Sequence, residues 1–147
     1  MQAFHSNWTR PFFIRNPHME YRIEPFELLT TALSALEWRR ENGSIRMICD
    51  TPAKRYYESL GLRFLWDDGV YPLLDTMPED INATAFWAAG KLYALSAVPS
   101  PCVMLDTDFI CWKSISNLLD GPDTAAIHRE DIMPSIYPDQ TAFAKTE

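Results

Sequence analysis

The sequence predicts an α/β domain with a Rossmann-like, mostly parallel sheet flanked by helices. Two observations carry this expectation. Short apolar runs of strand length alternate with longer segments of helical periodicity along most of the 147 residues, the pattern of parallel strands joined by crossover helices. The composition is 47% hydrophobic, with five Trp, eight Phe and six Tyr, which supplies a substantial core and excludes a disordered chain. The length fits one domain. We place it at residues 1–131, with 132–147 as a loosely held or truncated tail that carries two prolines.

The elements follow in order. "QAFHSNW" (2–8) is a short apolar strand, and 10–25, with three prolines, is irregular. "FELLTTALSALEWRREN" (26–42) has apolar residues at 28, 29, 32, 33 and 36 and a glycine just after it, so it predicts a helix with a glycine stop. "SIRMICD" (44–50) is a strand ending in Asp50. "TPAKRYYESLG" (51–61) opens on Thr-Pro and closes on Gly61, the marks of a helix start and stop. "LRFLW" (62–66) is expected as a third strand and 67–80 as an acidic loop. Residues 81–98 form a long, nearly all-apolar helix and 102–112 a fourth strand. "SISNLLDG" is a helical turn and "TAAIHRE" a fifth strand.

Charge and cysteine usage narrow the function. A net charge of −7 argues against nucleic acid and anionic membrane partners. An anionic ligand would then be held locally, by a metal or a few placed cations. The three cysteines, Cys49, Cys102 and Cys111, form an odd set within or beside apolar runs, which points to reduced, packed thiols and a cytoplasmic location. Cysteine and histidine show no zinc spacing. No secretory leader is expected, and no apolar window of about 18 residues that would span a membrane occurs. "NAT" at Asn82 matches a glycosylation sequon, but here it predicts a helix cap.

Two features stand out against this background. Asp106 and Asp108 close the apolar run "CVMLDTD". In an extended chain they would point the same way, and two like charges so close call for a neutralising partner. Either they cap a turn, or they hold a hard divalent cation, Mn²⁺ or Mg²⁺, whose open positions take phosphate oxygens. Lys91 is the only charged residue between 83 and 98. On a helix apolar nearly all round it needs an anion: a local carboxylate, water reached by snorkelling, or the phosphates of a metal-bound ligand. In an open parallel sheet ligands bind beyond the carboxyl ends of the strands. Asp50, Asp67 and Asp106 are all expected at strand ends, with Asp67 more simply a turn cap.

The stretch "FWAAGKLYALSAVPSPCVMLDTDFICWKSI" resembles the helix, strand and DxD block of A-type nucleotide-sugar glycosyltransferases. It is most similar to the lipopolysaccharide and capsular-polysaccharide enzymes with an "LDTD" or "IDGD" step. The resemblance covers about a fifth of the chain, and implies a GT-A-like, possibly incomplete fold. It implies metal binding by Asp106 and Asp108, with Asp106 also touching the ribose, and a nucleoside diphosphate sugar as donor. Asp50 would read the nucleobase edge, Lys91 would meet the diphosphate and Trp8 would stack on the base, or Trp8 would simply be core. The acceptor would be a glycan or another hydroxyl. Only 39 residues follow Asp108, so the resemblance implies that the acceptor half is missing, and the chain is expected to be a donor-binding half or a minimal form whose own catalysis is in question. His128 and Glu130 are further candidates for donor contact. A dehalogenase-type phosphatase and a receiver domain need their acids after the first strand, where "HSNW" has none. A non-catalytic α/β interaction module with an acidic rim remains the alternative.

Overall fold

The computed structural model describes residues 2–119, 121, 123–127 and 131. The chain divides into two compact units, Met1–Ser116 and Asn117–Glu147. The first contains a sheet of four parallel strands: β1 (Gln2–Asn7), β2 (Ile45–Cys49), β3 (Val70–Tyr71) and β4 (Cys102–Leu105), in the order β3-β2-β1-β4. The α/β architecture expected from the alternating pattern is therefore the one observed. Helices α1 (Arg10–Arg15), α2 (Pro25–Glu41), α3 (Thr51–Ser59) and α4 (Ala89–Ala97) connect and cover the strands.

Strand periodicity of two sorts the side chains onto two faces. On one face Ala3, Ile45, Met47, Cys49 and Leu105 pack with Ala35 and Trp38 of α2 and Ala53 and Tyr57 of α3. On the other, Phe4 and Ile48 pack with Leu74, Met77, Ala94 and Val98. Both faces of β1 and β2 are thus covered, as a parallel sheet requires.

Helix α2 lies where expected but is rolled about its axis. It buries Thr31, Ser34, Ala35 and Trp38 and leaves Phe26, Leu29 and Leu36 exposed. The small residues Ser34 and Ala35 allow close approach to the sheet. The hydroxyls that this roll buries find partners: Thr31 donates to the Glu27 carbonyl at 2.8 Å and Ser34 to the Phe109 carbonyl. Helix α3 begins at Asp50, whose side chain accepts from the Ala53 amide, and ends before Gly61 at φ 67°, a left-handed turn that glycine adopts without steric cost.

Five expectations need correction. Residues 62–66 are not a strand: Leu62–Leu65 form a 3₁₀ turn. Leu65 and Trp66 are adjacent and both pack into the core cluster on one face of the sheet, which strand alternation would prevent and a helical turn permits. The third strand is instead Val70–Tyr71, inside the stretch expected as an acidic loop, and a second 3₁₀ turn follows at Leu73–Thr76. Only Ala89–Ala97 of the expected helix 81–98 is helical. Asn82 draws the amides of Thr84 and Ala85 to its side-chain oxygen, both at 3.1 Å, closing a separate turn that competes with helix. The expected strand 102–112 stops at Leu105, because Asp106–Phe109 is a turn closed by the Phe109 amide on the Asp106 carbonyl at 3.0 Å. The segment 10–25, expected as irregular, contributes α1.

Of the second unit, the described residues include the end of a short helix, α5 (Ser116–Leu119), and residues 123–127, which carry no strand. The rest of the expected fifth strand, with His128 and Glu130, and the expected tail 132–147 lie outside the described residues.

Candidate functional site

A cavity of about 440 Å³ opens at the carboxyl end of the sheet. Ser6, Asn7 and Trp8, at and just beyond the end of β1, form one side, and Asp106, Thr107 and Asp108, just after β4, form another. Ile23, Glu27 and Thr31 come from α2 and the segment before it, and Tyr57 from α3. Trp87, Ala88, Gly90 and Lys91 come from the start of α4. The position is dictated by topology. From β1 the chain proceeds to β2 and β3 on one side, and β4 returns on the other. The connections after β1 and before β4 therefore diverge, leaving a crevice where the strand order reverses.

Four of the five residues singled out in the sequence, Trp8, Lys91, Asp106 and Asp108, line this one cavity. Asp106 and Asp108 share it as members of a turn rather than as alternate residues of a strand. Lys91 Nζ lies 2.5 Å from Asp106 Oδ1, so its partner in the structure is a local carboxylate, and it stands 5.8 Å from the Trp87 ring centroid. Gly90 explains how α4 comes so close: a Cβ there would lie 2.6 Å from Trp8 Cβ.

The fifth residue, Asp50, lies elsewhere. It is buried and does not line the cavity. Its Oδ1 accepts from the Ala53 amide at 3.2 Å, and its Oδ2 accepts from the Thr9 amide and hydroxyl, each at 2.7 Å. In this structure Asp50 caps α3 and ties down the residue after Trp8, so it is not brought together with the other residues named for the nucleotide. Asp67 also moves. It accepts from the amide of Ile45 at 3.0 Å, the first residue of β2, and so belongs to the amino end of the sheet, opposite the cavity. It is the turn-capping alternative that the geometry supports.

The cavity contains three carboxylates, Glu27, Asp106 and Asp108, against one ammonium, Lys91. An anionic ligand entering it needs further positive charge. Among the described residues no group of three or more His, Cys, Asp and Glu that could hold a metal ion comes together, so a cation here would have the Asp106–Asp108 pair as its protein ligands. That set fits Mg²⁺ or Mn²⁺, which keep several waters and bind through one or two carboxylates plus ligand phosphates. Both aspartates are exposed, and Lys91 occupies one oxygen of Asp106.

The cavity wall also contains polar groups that the sequence did not flag. Asn7 donates to the Tyr57 hydroxyl at 2.6 Å and accepts from the Tyr21 hydroxyl at 2.9 Å. Burial pushes the Tyr57 phenol well above its ordinary pKa, so it stays protonated. The polar end of the first strand, "SN", at a predicted carboxyl rim was the available signal for Asn7. Trp87, four residues before Lys91, was within reach of helical spacing. Tyr57 had no signal of its own.

Behind the turn lies a buried chain of hydrogen bonds. Trp66 Nε1–H donates to His5 Nδ1 at 3.2 Å, which assigns the imidazole proton to Nε2. Nε2–H then donates to Ser34 Oγ at 3.0 Å, and Ser34 donates to the Phe109 carbonyl at 2.5 Å. Burial lowers the His5 pKa to about 4, the nearby Asp106 charge opposing it. No protein-family model, curated protein or solved structure matches the chain.

Proposed function

We propose that the first unit binds a nucleoside diphosphate sugar together with Mn²⁺ or Mg²⁺, as the donor-binding part of a glycosyltransferase acting on a glycan or other hydroxyl acceptor. The observation that carries this is the convergence of Trp8, Lys91, Asp106 and Asp108 on one cavity at the reversal of strand order. A parallel sheet places ligands there, and the acidic lining excludes a bare anion but suits a metal-bound one.

In this proposal Asp106 and Asp108 would hold the cation, which would supply positive charge to the leaving diphosphate. Lys91 leaves Asp106 for the diphosphate. An ammonium held in place toward developing charge favours the transition state over the ground state. Trp8, fixed between Gly90 and the Asp50–Thr9 bonds, offers a ring face to the base. Tyr57 and Asn7 offer uncharged hydrogen bonds deeper in the cavity.

The test is thermal unfolding with UDP, GDP and UDP-sugars, with and without Mn²⁺. A ligand at a hundredfold its Kd stabilises the native state by about 2.7 kcal/mol, which raises Tm by roughly 5–10 °C for a chain of this size. The proposal expects such a shift only with metal and nucleotide together, and its loss in Asp108→Asn. No shift with any of these ligands would reject it. The non-catalytic interaction module has one observation in its favour, the outward Phe26, Leu29 and Leu36 of α2, and expects no shift.

A further inference from the structure

We propose that His5 and Ser34 are positioning residues that fix the turn carrying Asp106 and Asp108. As a claim about metal binding this rests on the function proposed above; as a claim about the turn it does not. Neither residue touches the cavity, and both are fully buried. Ser34 bonds Phe109, the last residue of the turn, and His5 bonds Ser34.

Strand β4 ends at Leu105, so beyond it the sheet no longer fixes the chain. The turn has one internal bond, from the Phe109 amide to the Asp106 carbonyl. A single bond at the surface leaves such a turn free to open. Ser34 adds a second hold on the same residue, by donating to the Phe109 carbonyl. The hydroxyl has one proton, and its direction is set by His5, whose Nε2–H occupies the oxygen of Ser34 from the other side. His5 in turn can only be a donor there because Trp66 donates to its other nitrogen. Trp66 is anchored in the core against Tyr57, with ring centroids 4.7 Å apart. The order Trp66, His5, Ser34, Phe109 is therefore directional. It connects the core to the peptide that follows Asp108, across β1 and α2. A buried polar chain with every member satisfied is rigid, and losing one member leaves its neighbours unpaired.

The preference for Ser34 over an apolar residue on the buried face of α2 follows from this. Alanine would fill the same space against the sheet, as Ala35 does beside it. The hydroxyl is needed only for the Phe109 carbonyl and for His5.

The experiment compares the full chain with Ser34→Ala and with Ile45→Val, a core change at the amino end of β2 that weakens packing away from the cavity. Amide hydrogen exchange is read without ligand. In Ser34→Ala the Phe109 amide is expected to exchange about tenfold faster, the scale of one lost buried hydrogen bond, while the amides of β1 keep their protection. In Ile45→Val the Phe109 amide keeps parental exchange relative to β1. Mn²⁺ binding in the presence of UDP is then titrated, and Ser34→Ala is expected to weaken it about tenfold while Ile45→Val leaves it unchanged. Unchanged Phe109 exchange in Ser34→Ala overturns the positioning role. Faster exchange with unchanged Mn²⁺ affinity overturns its link to the metal. If the parent binds no Mn²⁺, the proposed function fails, and the exchange result alone decides whether the turn is held as described.

Discussion

Protonating His5 is expected to destabilise the protein, and the cost can be worked from its surroundings. The imidazole is buried, with Trp66 Nε1–H directed at Nδ1 and Ser34 Oγ at Nε2. A second ring proton would face the indole N–H, donor against donor, inside the core. Burial lowers the pKa from 6.5 to about 4. The unfolded chain therefore takes up the proton first, and stability is intact above the unfolded value and lost as pH falls from 6.5 toward 4. A gap of this size corresponds to about 3 kcal/mol in full, with about 2 kcal/mol of it gone by about pH 5. Urea unfolding of the parent at intervals between about pH 7.5 and 5 reads this directly. The same series on His5→Gln isolates it from the carboxylates, which contribute at the lower end. The expected result is a parent whose stability falls by about 2 kcal/mol across the window and a variant, less stable at neutral pH, that falls much less. Equal slopes would show that His5 does not titrate as its burial requires, and the directional chain to Phe109 would lose its basis.

Three further outcomes follow from the same geometry. Lys91→Met removes a half-exposed ion pair, worth about 0–1 kcal/mol, so the fold survives; UDP binding with Mn²⁺ is expected to weaken about tenfold or more, and a large loss of stability without ligand would make the Lys91–Asp106 pair structural instead. Asp50→Ala removes a helix cap and two hydrogen bonds to Thr9, and is expected to cost about 2–4 kcal/mol in urea unfolding; a near-neutral effect would return Asp50 to the list of ligand-contacting candidates. Gly90→Ala gains about 1 kcal/mol of helix propensity but forces a methyl against Trp8, at about 1–3 kcal/mol. A net loss of stability with altered Trp fluorescence is expected, and a gain would mean that α4 does not approach Trp8 so closely.

The parts of this fold legible in the sequence are those where local signals and tertiary packing agree. β1 and β2 are apolar runs with covered faces on both sides, and α3 is bounded by Asp50, Pro52 and Gly61, each acting where its chemistry suggests. The misreadings come from segments where the two disagree. "LRFLW" has strand composition, but Leu65 and Trp66 must both enter the core on the same face of the sheet. "INATAFW" has no charge to interrupt a helix, yet Asn82 captures two amides and stops one from forming. The roll of α2 was hidden because its apolar periodicity runs through Leu29 and Leu36, which stay exposed, while Thr31 and Ser34 find partners that only the folded chain supplies. At the cavity, acidic and basic residues were legible from their isolation among apolar neighbours. Asp50 was not, because a cap and a ligand carboxylate look the same in a sequence; only the bonds to Thr9 and Ala53 distinguish them. His5 and Ser34 lie 29 residues apart and carry no motif.

The central claim is that a divalent cation and a diphosphate meet at the turn after β4. Paramagnetic broadening by Mn²⁺ in the presence of UDP tests it most directly. The account predicts selective loss of the Thr107 and Asp108 amide signals and the Trp8 and Trp87 indole signals, with Trp38, on the buried face of α2, unaffected. Broadening centred on Asp67 and Asp68 at the other end of the sheet, or none at all, would contradict it.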